Sequence, residues 1–310
     1  MSEPKVSTPE AVAALEERLA TIRTLVLRRL HREVSLFLLS QQFFTDNMLE
    51  VETSSSLGRD SNNFVSLVQL KASGLVKNVD HDLPLQNGTH KLNPSLNRIV
   101  VRISNPNAML DEGVRVENEV AAITLMHRAL SAMPHNPIPK VFAWEASSSA
   151  GSGWMVEEFM EGEKLSVHLP DLSLDKKALI VDQVAELFGM IQSFNPEVDG
   201  FGGLDFDANG RVVAGRSSLW SVGPFPNYAD MYQGIFNRQL ELTGTTPLLD
   251  GWKEGDLKER LHRFNASGGF KSLLQPFESM KSTLVHGDIC QYSISHPVTR
   301  LTSLQQRRTS

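Results

Sequence analysis

In this 310-residue sequence, His286-Gly287-Asp288 is the segment whose residue types and spacing offer chemistry most directly. A carboxylate beside a glycine turn, delivered by the apolar run Thr283-Leu284-Val285, is well placed to accept a proton from a substrate hydroxyl. The same three residues also read as a buried histidine next to a turn aspartate, and on this segment alone both readings stand. Trp220, Phe225, Tyr228 and Tyr232 likewise suit either a pocket lining or a packed core.

Such groups need a scaffold, and the hydrophobic pattern supplies one. Residues 64–70 alternate apolar and polar side chains and are rich in β-formers, which predicts a strand. Residues 98–103, Arg-Ile-Val-Val-Arg-Ile, predict a second strand, and 140–144 and 154–159 two more. Between them, Val116, Val120, Ile123, Leu125 and Leu130 recur at helical spacing over 112–130, and Pro134, Pro137 and Pro139 follow. Asn87-Gly88 is a two-residue hairpin-turn signal. Strands, helix, then strands predict a mixed sheet with one helix laid against it. Beyond residue 162 the pattern is mostly helical. Ser173 can cap a helix running through Ala178, Val181, Ala185, Phe188 and Ile191, and further helices are expected over 228–242, 257–264 and 269–280. Residues 207–210, Asp-Ala-Asn-Gly, read as a turn. Near the start, Thr8, Pro9 and the stripe Leu15, Leu19, Ile22, Val26, Leu30 and Val34 predict an amphipathic helix. Arg18, Arg28, Arg29 and Arg32 decorate its other faces, so it suits packing on the next domain or lying on a membrane surface.

Composition narrows the function classes. Hydrophobic residues make up 41% and charged residues 21%, which describes a globular chain with a core rather than a disordered one. Lys and Arg number 30 against 36 Asp and Glu, a net charge of −6, so no general attraction to nucleic acid or anionic membrane is expected. The single cysteine, Cys290, has no partner for an internal disulfide and fits a reducing compartment. The first ten residues are polar and lack a secretory signal, and the apolar stretch at 34–44 is shorter than the ~20 residues of a membrane span. A cytoplasmic protein is the expectation.

Several segments, taken in order, carry a family likeness. They are the strand 99–103 with Arg102, the helical Glu117-Asn118-Glu119-Val120-Ala121-Ala122, and the strand Ile138-Pro139-Lys140-Val141-Phe142-Ala143-Trp144. Met155-Val156-Glu157-Glu158-Phe159-Met160-Glu161-Gly162-Glu163 and His286-Gly287-Asp288 follow. From about residue 64 to residue 304 the chain thereby resembles the aminoglycoside phosphotransferase and choline-kinase-like branch of the protein-kinase-like fold, particularly its divergent fungal members.

The resemblance implies an α+β, protein-kinase-like fold. A helical N-terminal extension (1–55) would precede a small sheet-rich N-lobe (56–161), a partial helical C-lobe (162–294) and a disordered tail (295–310). It implies ATP and Mg2+ as cofactors and a small-molecule hydroxyl as substrate, of unspecified identity. Arg102 would anchor the nucleotide where most relatives carry Lys, with Glu119 as its acid partner. Glu158, Phe159 and Met160 would form the hinge whose backbone receives adenine. Gly74, in Ser73-Gly74, would belong to the phosphate-covering loop, and Asp288 would be the catalytic base.

Two positions depart from the family pattern. Ser293 stands where a metal-binding Asn is expected, and a second metal-binding Asp would fall near Gln306. No Asp or Glu follows Asp288 at all. Three outcomes are compatible with this pattern: an active phosphotransferase, an inactive pseudokinase or binding module, and a truncated product without function.

Overall fold

A computed structural model describes residues 49–52, 62–70, 85–91, 93, 96–147, 152–245, 255–285, 287 and 295–296. Among these, strands β1 (Leu49–Glu52), β2 (Asn63–Leu70), β3 (Arg98–Ser104), β4 (Val141–Glu145) and β5 (Trp154–Glu158) form one antiparallel sheet in the order β1-β2-β3-β5-β4. The pleat sorts β3 into two faces. Ile99, Val101 and Ile103 point to one side and are buried there with Val68 and Val156. Val100 and Arg102 point to the other, where Arg102 lies opposite Met155 on β5.

Helix α1 (Arg115–Ala129) lies on the Arg102 side, because Val116, Val120 and Ile123 close a buried cluster with Val141 and Met155. Its first turn is set by Asp111, whose carbonyl accepts from the Arg115 amide at 3.1 Å and whose carboxylate accepts from Gly113 at 3.1 Å. His127 and Arg128 occupy its last turn, where positive charge favours the helix dipole. This element matters most for the site: it carries Glu119 over the sheet face that presents Arg102.

The helical half begins with β6 (Glu163–Lys164), α2 (Leu165–His168) and α3 (Leu174–Ser193), whose Ser173 Oγ accepts from the Lys176 amide at 3.4 Å as an N-cap. A short hairpin follows, β7 (Gly203–Phe206) and β8 (Val212–Gly215), then α4 (Tyr228–Thr245), α5 (Leu257–Ala266) and α6 (Gly269–Leu274). The molecule is a mixed α+β protein with an antiparallel sheet and a set of helices. No helix among the described residues is long and apolar enough to cross a membrane.

Several details differ from the sequence-based expectations. Leu49–Glu52 pairs with β2 as an edge strand, although the helical extension was expected to run to residue 55. Its Leu-Glu-Val-Glu alternation matches Leu70 and Val68 across the pair. Ser295–His296 (β9), the first residues of the expected disordered tail, pairs with Glu163–Lys164. Asn87-Gly88 does form a turn, with Thr89 N–H donating to the Gln86 carbonyl at 3.1 Å, but it joins no strands among the described residues. Instead it is wedged against the core. Trp144 Nε1 donates to the Asn87 carbonyl at 2.8 Å, and a Cβ added at Gly88, where φ is 73°, would meet Val120 at 2.6 Å. The turn at 207–210 closes β7 and β8, two short strands that the sequence reading did not predict.

Candidate functional site

Arg102 projects from the middle of β3 into the space between the sheet and α1. Glu119 reaches it from α1 at 2.6 Å, and Glu157 reaches it from β5 at 3.5 Å. The side chains of Arg102 and Glu157 are 22% and 11% exposed, so one guanidinium faces two carboxylates with little solvent to screen them. The Arg102 Nη1 also lies 4.0 Å from the Met155 sulfur, the residue opposite it in the ladder. Burial works against the charge on Arg102, but Glu119 and Glu157 together hold its pKa above the ordinary value. Burial pushes the Glu157 carboxyl up. Arg102 offsets part of that rise, and Glu119 adds to it by repulsion.

The two carboxylates are held unequally. Glu119 makes a close ion pair, whereas the Glu157 Oε2 is buried and has no hydrogen-bond partner. At 3.5 Å its contact with Arg102 is chiefly coulombic, with at most a weak hydrogen bond at the outer limit of such contacts. A cation with one tight and one loose counter-charge can exchange the loose one for an incoming anion. The cluster therefore suits a phosphate or carboxylate ligand.

The expected hinge residues begin at the last residue of β5, Glu158. Glu158 N–H donates to the Lys140 carbonyl at 2.8 Å, and its Oε2 accepts from Lys140 N–H at 3.3 Å. Its side chain lies opposite Ile99, on the face away from Arg102. The Arg98 guanidinium stacks 4.4 Å over the Phe159 ring and pairs with Glu161, so β3 fastens this segment from one side. Met160 is 38% exposed. The structure thus brings Arg102 and Glu119 together and sets Glu158, Phe159 and Met160 along the adjoining strand end. Gly74, Asp288 and Ser293 lie outside the described residues.

The approach to Asp288 is described as far as Val285. Residues 281–285 pair with no strand. They are held by Ser282 Oγ, which donates to the Val198 carbonyl at 3.3 Å, and by Leu284, which packs against Ala121, Leu125 and Val212. Three of the four candidate pocket aromatics are committed elsewhere. The Tyr228 and Tyr232 rings meet at 4.6 Å, tilted by 44°, Tyr228 also meets Phe201 and Phe277, and Phe225 pairs with Phe201 through the backbone.

Two features escaped the sequence reading. One is Glu157, an acid at an inward position of β5; the break in its apolar parity was the available signal. The other is a pair of carboxyls between α1 and the hairpin. Glu117 is raised to about 7 by burial, then by a hydrogen bond and repulsion from Asp205, while the Phe206 amide pulls it down. Asp205 Oδ1 accepts from that same Phe206 amide at 2.7 Å. Glu117 and Glu119 are about 200° apart around the helix, so one faces the hairpin and the other the sheet. Nothing in the sequence places Asp205 beside α1.

No family model matches the chain, and no curated protein does. Among the described residues, no group of three or more His, Cys, Asp or Glu side chains could hold a metal ion.

Proposed function

We propose that this chain is a nucleotide-binding protein of the protein-kinase-like type, related to the aminoglycoside phosphotransferases and choline kinases. In this reading it binds ATP and transfers a phosphoryl group to the hydroxyl of a small molecule. The observation that carries the reading is the 2.6 Å pair between Arg102 on β3 and Glu119 on α1, a part-buried cation fixed across the sheet and helix. Arg102 would meet the phosphates, the backbone from Phe159 onward would meet the adenine, and Asp288 would accept the hydroxyl proton. Arg keeps its charge under all conditions and offers a planar fork of donors to phosphate oxygens, where a lysine would offer a point charge.

The donor set fits a nucleotide better than it fits magnesium. Ser293 supplies a hydroxyl where an amide carbonyl is the better ligand, and Gln306 stands near the place of the expected second metal-binding Asp. This favours a second reading, nucleotide binding without transfer, because phosphoryl transfer draws much of its rate from metal-held phosphates.

Two measurements test these readings. A ligand that binds only the folded state raises the melting temperature, so ATP should raise it and Arg102→Ala should abolish the shift. A folded protein that shows no shift at millimolar ATP would sink the nucleotide reading. Turnover of ATP with magnesium or manganese separates enzyme from binding module. Activity lost in Asp288→Asn establishes transfer, and turnover at background in both proteins establishes binding alone.

A further inference from the structure

Arg102 is shared in a way that nucleotide anchoring alone does not require. One carboxylate suffices to orient the guanidinium, and Glu119 does this at 2.6 Å from α1. Glu157 adds a second negative charge from β5, within a residue that is 8% exposed, and leaves its Oε2 without a hydrogen-bond partner. The cluster therefore carries one more negative than positive charge when both acids are ionised. An anion approaching Arg102 must meet that excess at close range, in a site where water screens poorly.

Resting on the nucleotide reading, we propose that Glu157 is the residue that sets how tightly the site takes a phosphate: its carboxyl releases Arg102 and takes up a proton from solvent as the phosphate docks. Arg102 then exchanges its loose counter-charge for the ligand and retains Glu119 as the tight one. The proton balances the charge that the phosphate brings, and none is transferred between protein and nucleotide. The groups that face Glu157 are Arg102 from β3 and Glu119 from α1, while β4 contributes the apolar Val141 opposite it. Burial and Glu119 already favour the protonated form of Glu157, and Arg102 is the group that opposes it. Drawing Arg102 toward a phosphate removes that opposition, and the phosphate's own charge acts in the same direction. Protonation in the complex therefore exceeds that in the free protein, so binding takes up protons and strengthens as pH falls.

Calorimetric titration of the full 310-residue chain with ATP, in two buffers of different ionisation enthalpy, tests this. Wild type is compared with Glu157→Gln at about pH 6 and about pH 8. The ionisation of ATP itself is common to both proteins and cancels in the ratio of their affinities. Expected is about tenfold tighter binding by Glu157→Gln at the higher pH, convergence of the two proteins at the lower, and greater proton uptake by wild type. Equal affinities and equal proton uptake in the two proteins, or weaker binding by Glu157→Gln at both pH values, overturn the assignment while leaving the nucleotide reading in place. No ATP binding by either folded protein overturns both. Glu157→Met, which also removes the charge, must behave as Glu157→Gln does, and stands in for it should the glutamine variant fail to fold.

Discussion

Arg115 and Arg102 are both arginines held among acceptors, yet their surroundings assign them different work. Arg115 is 4% exposed, and its fork is used up within the protein. It pairs with Glu112 at 2.7 Å, donates to the Asn105 carbonyl at 3.2 Å and to Asn63 Oδ1 at 3.0 Å, and also reaches the Asn62 carbonyl. These contacts tie the start of β2, the loop after β3 and the first turn of α1 to a single side chain. Arg115→Ala strands several part-buried acceptors and the Glu112 carboxylate, one oxygen of which is buried, so a loss of about 2 kcal/mol is expected. Denaturant unfolding should show it, and Arg115→Lys should recover only part, because an ammonium cannot span the same fork. Arg102, by contrast, keeps one loose contact in reserve. Its replacement should register in ligand binding, where that of Arg115 should register in stability.

At the scale of elements, the packing of α1 on the hairpin should respond to pH. The folded protein holds Glu117 at about 7 against an ordinary value of 4.5, so it binds more protons than the unfolded chain between those limits. Its contribution is therefore complete below the unfolded value and is lost as pH rises through the folded one. Glu117→Gln, which keeps a hydrogen bond to Asp205 without the titration, should remove this slope from the melting temperature between about pH 5 and about pH 8. A slope unchanged in the variant would show that the pair is not responsible. His90 acts in the opposite sense. Burial first, then His127 and Lys140, lowers its pKa from 6.5, so its part of the stability is lost as pH falls. The variant-minus-wild-type difference is thus the quantity to compare. These elements also show what a sequence discloses. β2, β3, β5, α1 and α3 are long enough to repeat their apolar period, and their patterns are plain. β1, β6, β9 and the β7–β8 hairpin span two to four residues each, too short for a period to be read. Arg102 and Glu119 were legible only through the order of motifs around them. Their meeting depends on how α1 crosses the sheet, and Glu157 joins them through strand register.

Across the whole molecule, buried apolar surface is unevenly shared. Fully enclosed side chains such as Ile99, Val101, Val120, Leu125 and Val156 belong to the sheet and α1. The twenty residues of α3 bury only Ile180 and Ile191, and α5 and α6 bury none. Leu174 and Val181 on α3 are 83% and 65% exposed, and Leu273 on α6 is 64% exposed. Local opening costs least where few apolar contacts are broken. Amide exchange should therefore be slowest in β3, β5 and α1 and faster throughout α5 and α6, with α3 protected mainly around its two buried isoleucines. Mutation should report the same division. Val120→Ala removes two enclosed methyl groups and leaves a cavity, at an expected cost of about 2 kcal/mol. Val181→Ala removes the same atoms from a solvent-facing position and should cost less than about 0.5 kcal/mol. Equal costs at the two sites would mean that the outer face of α3 is covered in solution. The contrast then becomes a measurement of whether this face meets a partner, since only an occupied face could make Val181 as expensive to truncate as Val120.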